Sequence, residues 1–116
     1  MQPSQMETLK AYGMDLDATI ARFGGNEPLM MRFLTGFPKD KTMQALHDAA
    51  AASDREGMKI AAHSLKGLTG NLGLTPLFEA STALMNTLRQ TEDDVTDLYE
   101  KVCAEYDRAL EALGKL

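Results

Sequence analysis

The apolar residues of this chain recur at helical spacing, and this pattern constrains the fold more than any other feature of the sequence. In the segment 54–72, five apolar residues follow one another at intervals of 3, 4, 3 and 4: Met58, Ala61, Leu65, Leu68 and Leu72. Such spacing places them on one stripe of an amphipathic helix. Leu, Ala and Met dominate the apolar residues elsewhere, and no alternating strand pattern occurs. The sequence therefore predicts an all-α fold.

Glycines, prolines and capping residues divide the chain into helical segments. Two short N-terminal helices are predicted over about residues 4–24, and longer helices over about residues 26–113. Pro38 should kink or briefly break the first long helix. Four long amphipathic helices joined by short loops predict an antiparallel up-down four-helix bundle with a short helical N-terminal cap. The length of 116 residues suits a single domain, residues 1–116.

The starts of the last three long helices are predicted from their capping residues. Ser53 with Glu56 three residues later forms a capping box. Thr75-Pro76 is a typical helix start because proline needs no hydrogen-bond acceptor in the first turn. Thr91, which precedes three acidic residues, is predicted to open the last helix.

The charge balance argues against several classes of function. Twelve Lys and Arg against seventeen Asp and Glu leave a formal net charge of −5, which repels nucleic acid and anionic lipid. The N-terminus has no signal-peptide core, and no run of about 18 apolar residues occurs. The only cysteine, Cys103, cannot form an internal disulfide. We therefore expect a cytoplasmic protein that binds neither nucleic acid nor membranes.

The outer face of the helix at 54–72 carries an unusual set of residues. At about 100° per residue, His63 lies nearly opposite the centre of the apolar stripe and should face solvent. Lys59 and Lys66 are close enough to flank the imidazole, while Gly67 and Gly70 leave the surface beside it bare. Each glycine inside a helix costs about 1 kcal/mol relative to alanine, so a reason for both is needed. Access for a large partner is one such reason, and close helix packing is another. An exposed imidazole between two lysines is suited to carrying a phosphoryl group.

The hexapeptide AHSLKG at residues 62–67, continued by LTGNLG at 68–73, resembles a known motif. It is similar to the phosphoacceptor helix of histidine-containing phosphotransfer (HPt) domains, whose hallmark reads A-H-x-L-K-G. The stretch RFGGNE at 22–27 and the following Phe33-Leu34 resemble the same family. The resemblance runs from about residue 14 to 113. It implies that His63 accepts a phosphoryl group, on Nε2 in family members, from a receiver-domain phosphoaspartate and passes it to another receiver's aspartate.

The resemblance also implies roles and partners. Lys66 and Gly67 match the motif positions that neutralise phosphate and give access to the histidine. The assignment of Lys59 to phosphate binding rests mainly on its helical spacing from His63. The implied partners are receiver domains of response regulators and hybrid sensor histidine kinases. No phosphate-binding Gly-rich loop and no carboxylate cluster for magnesium is found in the sequence. We therefore expect no cofactor, no metal site and no ATP-dependent kinase activity in this domain, with Mg²⁺ supplied by the receiver.

Around His63 we expect a docking surface whose apolar rim includes Ile60, Leu74 and Met85. Family members often place Glu or Gln on the next helix, where it orients the imidazole, and the corresponding position here is Met85. Thr82 or Asn86 would then have to reach the ring instead. A complete set of four long helices suggests a monomer.

Three other functions are weighed against a role in phosphotransfer between receivers. A structural or adaptor bundle would carry no acid-labile phosphate on His63. A chemotaxis-kinase phosphotransfer domain shares the His-x-Leu-Lys-Gly core but would require an ATP-binding partner domain. A metal or haem bundle needs inward His or Glu-x-x-His ligands, and neither His63 nor the only other histidine, His47, follows a Glu at that spacing. His47 is interpreted as a surface or boundary residue.

Overall fold

The computed structural model describes all 116 residues and contains helices but no strand. In chain order the helices are α1 (Pro3–Tyr12), α2 (Leu16–Arg22), α3 (Glu27–Gly36), α4 (Thr42–Ala51), α5 (Arg55–Asn71), α6 (Thr75–Gln90) and α7 (Thr96–Leu113), with a 3₁₀ turn at Phe37–Lys39. The all-α prediction is confirmed. No helix of the seven has the length and apolar character that crossing a lipid bilayer requires.

Helix α5 packs between two neighbours. It contacts α4 on one side and α6 on the other, α7 packs against α6, and α1 packs against α7. The apolar stripe of α5 faces the interior as predicted, since Met58, Ala61 and Leu65 are buried and Leu68 is partly buried. These side chains join a single apolar core of 26 buried residues. Only the outer face of α5 is left for contacts with other molecules.

The segment around Pro38 breaks the helical path as expected. Helix α3 ends at Gly36, the 3₁₀ turn follows, and α4 begins at Thr42. Proline lacks the N–H that a continuous helix would need at this point. Asp40 then accepts a hydrogen bond from the Thr42 amide at 2.8 Å, which starts the new helix. Phe37, inside the turn, is buried, so the break itself contributes to the core.

A buried carboxylate ties α1 to α7. Glu105 is nearly inaccessible and pairs with Lys101 at 3.2 Å and with Arg108 at 2.7 Å. The Arg108 guanidinium lies 5.3 Å from the centre of the Tyr12 ring at the end of α1. Burial raises the pKa of Tyr12 to about 12. Pairing satisfies the Glu105 carboxylate, which would otherwise be costly to bury.

Two predicted helix starts are wrong. Helix α5 is capped by Asp54, whose Oδ1 accepts from the Gly57 amide at 2.9 Å, whereas Ser53 has φ 52° and belongs to the turn that ends α4. A left-handed residue suits such a turn, and a capping residue requires extended backbone.

The last helix begins later than Thr91. The Arg55 guanidinium donates to the carbonyls of Thr91 at 3.1 Å and Asp93 at 2.8 Å, so this stretch is bound to α5 instead of forming helix. Helix α7 starts at Thr96, where Asp94 Oδ1 accepts from the amide at 2.9 Å. A contact with a distant arginine therefore decided the boundary.

Candidate functional site

His63 lies in the middle of α5 with an exposed side chain on the helix's outer face. Its ring leans toward α6, where Nδ1 is 3.3 Å from the Sδ atom of Met85. Neither of the side chains expected to reach the ring does so: the Thr82 hydroxyl donates to the Phe78 carbonyl of its own helix, and Asn86 makes no hydrogen bond to it. Met85 is thus the neighbour that contacts His63.

The two lysines beside His63 differ in their partners. Lys59 forms an ion pair with Glu56, with Nζ 2.8 Å from Oε2. Lys66 takes part in no ion pair, so its ammonium group is uncompensated. Both belong to α5, one before and one after the histidine. Of the two positions predicted to hold a phosphate, Lys66 presents a free positive charge and Lys59 a partly neutralised one.

The two glycines also differ. A Cβ atom at Gly67 would meet no atom within 4 Å, so the space beside His63 is open. At Gly70 a Cβ atom would lie 3.1 Å from two carbon atoms of the Phe78 ring. The expectation that Gly70 gives access to a partner is corrected: it makes room for α6. Although Gly70 points away from the apolar stripe, Phe78 covers that side of α5.

The predicted apolar rim is only partly on the surface. Ile60 is 60% exposed, one turn before His63. Leu74 and Met85 are 0% and 2% exposed, so placing them in an exposed rim is wrong. Leu74 is the residue preceding α6 and packs into the core, while Met85 lies beneath the imidazole ring.

Two features were not predicted as part of the site: the hydrogen bonds of Arg22 to the carboxyl end of α5 and the exposed ring of Phe33. Arg22 donates to the carbonyls of Gly70 at 2.9 Å and Asn71 at 3.0 Å, in the last turn of the helix, where the Gly70 carbonyl also accepts from the Gly73 amide. The next residue, Phe23, lies with its ring 5.7 Å from that of Phe33, which is 54% exposed. Helical spacing alone could not have shown this exposure, because Phe33 is three residues after the buried Met30 and so lies at the edge of the stripe that Met30, Leu34 and Phe37 form.

The second histidine occupies a different environment. His47, on α4, is half-buried, and its Nδ1 forms a hydrogen bond with the hydroxyl of Tyr99 on α7. The two rings meet edge to face with centroids 5.8 Å apart. Arg55 lines the same groove, but its guanidinium is bound to backbone carbonyls. The interpretation of His47 as a boundary residue is confirmed.

Comparison with protein families connects this geometry to known proteins. The family model described as "Hpt domain" matches residues 33–115, which is well over half of the chain. The chain belongs to the Hpt domain family. Hpt domains take part in histidine phosphotransfer in phosphorelays and interact with receiver domains. No curated protein and no solved structure matched the chain.

The family match covers α4 to α7 and thus the whole of α5, but it begins at Phe33. Helices α1 and α2 lie outside the matched part, although Arg22 of α2 binds the end of the helix that carries His63. No three His, Cys, Asp or Glu side chains of this Hpt domain lie close enough together to hold a metal ion.

Proposed function

We propose that His63 accepts a phosphoryl group from the phosphoaspartate of one receiver domain and passes it to an aspartate of another. The observation that carries this proposal is the exposed imidazole on the outer face of α5, beside the open space at Gly67 and the free ammonium group of Lys66. In a member of the Hpt family this arrangement has the shape and charge that a docked phosphoaspartate requires.

The transfer is a displacement at phosphorus. The lone pair of Nε2 forms the N–P bond while the bond between phosphorus and the aspartate oxygen breaks, and the electron pair leaves with the carboxylate. The attacking nitrogen carries no proton, so this step needs no general base. Lys66 stabilises the negative charge on the transferring oxygens, with Lys59 contributing when it separates from Glu56. The receiver supplies Mg²⁺ and the acidic pocket, and this domain holds no cofactor.

The docking surface centres on His63 and Gly67. Ile60 supplies an exposed apolar side chain on the same helix, and Phe33 of α3 supplies a second, against Phe23, the residue after Arg22, which binds the carboxyl end of α5. Exposed apolar groups around a polar centre are typical of protein interfaces. We infer that α3 and α4 act as one broken helix of an antiparallel four-helix bundle, capped by α1 and α2, and that a monomer presents this surface to receivers of response regulators and hybrid sensor kinases.

The test is to mix the protein with a receiver carrying labelled phosphate and to follow the label. The parent should take up acid-labile phosphate and pass it to a second, unlabelled receiver, whereas His63→Gln should take up none. His47→Gln is the matched control and should behave like the parent. Uptake by His63→Gln equal to that of the parent would refute the proposal. So would a lack of uptake by the parent from several receivers and sensor kinases, which is the result an adaptor bundle predicts.

A further inference from the structure

The Sδ atom of Met85 is the only hydrogen-bonding partner of the His63 ring in the structure. Met85 is 2% exposed and packs into the apolar core from α6. Its side chain is therefore held by its surroundings, and the sulfur occupies a defined place under Nδ1. A buried atom on a packed helix can orient an exposed ring more reliably than a solvated side chain could.

The chemistry of the thioether determines which ring nitrogen carries the proton. A methionine sulfur has lone pairs but no hydrogen, so it can only accept a hydrogen bond. Nδ1 must then be the donor. In a neutral imidazole one nitrogen is protonated and the other is not, so a proton on Nδ1 leaves the lone pair on Nε2.

We propose that Met85 is the positioning residue of His63: its thioether accepts the Nδ1–H bond, selects this tautomer and points Nε2 outward as the nucleophile. The proposal deepens the proposed phosphotransfer function and rests on it. Nε2 has no hydrogen-bonding partner in the structure, and Gly67, four residues later in the same helix, leaves open space. The Nδ1–H bond stays in place while the N–P bond forms, so no proton moves between the two nitrogens.

A thioether differs from a carboxylate in carrying no charge. A carboxylate under the ring would repel the incoming phosphoryl group, whereas Met85 orients the ring without that repulsion. The uncompensated charge of Lys66 then acts on the phosphate without a competing anion beneath the imidazole. Met85 thus supplies orientation alone, and the lysine supplies the charge.

The experiment compares two substitutions that differ in their ability to accept a hydrogen bond. Met85→Leu keeps an apolar side chain of similar size and removes the acceptor. Met85→Gln restores an acceptor through its amide oxygen. Met43→Leu, at another buried methionine that lies on α4 and forms no hydrogen bond with His63, controls for loss of a core methionine. Urea unfolding of each variant checks that the fold is retained.

Two readouts are needed. The ¹⁵N chemical shifts of the His63 ring, measured at a pH at which the imidazole is neutral, report the tautomer. The parent and Met85→Gln should show Nδ1 protonated. Met85→Leu should lose that preference. Phosphoryl transfer from a labelled receiver should slow about fivefold in Met85→Leu, the size expected for one hydrogen bond, and recover in Met85→Gln. Met43→Leu should match the parent in both.

The outcomes separate the positioning role from the function. An unchanged tautomer and rate in Met85→Leu would overturn the positioning role, and so would equal slowing in both Met85 variants without any change of tautomer. If the parent takes up no phosphate while the ¹⁵N shifts follow the predicted order, the phosphotransfer function fails and the hydrogen bond to Met85 is supported.

Discussion

The two histidines of this chain each contact one side chain of a neighbouring helix, but they differ in exposure and in the charged groups beside them. Each places Nδ1 against a side chain of another helix: His47 against the Tyr99 hydroxyl, and His63 against the Met85 sulfur. His47 is half-buried, and the nearby Arg55 is bound to backbone carbonyls. His63 is exposed and has an uncompensated lysine three residues after it. On the proposed function, a free nitrogen and an unoccupied space, and not residue type alone, distinguish the histidine that would accept the phosphoryl group.

The largest effect should come from filling the space beside His63. The equivalent position beside His47 serves as the control. Gly67 and Ala51 each lie four residues after a histidine, and both are exposed. Gly67→Arg should slow phosphoryl transfer by about 100-fold because a displaced partner loses its reactive alignment. Ala51→Arg should leave the rate unchanged. The measurement is single-turnover transfer from a labelled receiver, with circular dichroism and urea unfolding as controls for the fold. A normal rate in Gly67→Arg would show that the open space at this position is not needed.

A smaller effect is expected from removing the charges near His63. Lys66→Met should lower the transfer rate about tenfold, near the low end of the about 1.5–3 kcal/mol that a hydrogen bond between charged groups contributes, because Lys66 is partly exposed to solvent. Lys59→Met should lower it less, because Glu56 already compensates part of the Lys59 charge. Rates are compared at low and high salt, where added salt should reduce the effect of Lys66. Equal losses in both variants would contradict the distinction drawn from the ion pair.

The smallest effect is expected on stability at high pH, from Tyr99 and Met85, the side chains that contact the two imidazole rings. Burial, and then a hydrogen bond with Cys103, raise the pKa of Tyr99 to about 12. Because the unfolded chain loses this proton near pH 10, the contribution of Tyr99 to stability is complete below pH 10 and is lost as the pH rises toward 12. Urea unfolding at several pH values should show a shallower alkaline decline in Tyr99→Phe. Met85→Leu should decline like the parent, since a thioether does not titrate. An unchanged slope in Tyr99→Phe would contradict this assignment.

The sequence predicted the outer face of α5 correctly where only the helical repeat was involved. The exposure of His63 and Ile60 follows from their angles relative to the apolar stripe, and so does the burial of Met58 and Leu65. Gly67 is exposed on this same outer face. The Lys59–Glu56 pair was missed, although its three-residue spacing is visible in the sequence.

The errors arose where one helix meets another. Met85 and Leu74 were assigned to the surface and are buried, and Gly70 was assigned to partner access and contacts Phe78. The burial of Met85 and Leu74 and the contact between Gly70 and Phe78 all depend on how α6 lies against α5. The start of α7 depended similarly on Arg55, a residue 41 positions before Thr96. No periodicity within a single helix contains that information.

By itself, the sequence determined that the chain is helical, which stripe of α5 is buried and the side of α5 on which His63 stands, because these follow from local backbone geometry with 3.6 residues per turn. The tertiary structure alone decided what lies under the imidazole. The register between α5 and α6 places a thioether against Nδ1 at 3.3 Å, and a shift of one residue along α6 would put another side chain there. The exposed position of His63 is specified locally, but the orientation of its ring depends on packing between the two helices.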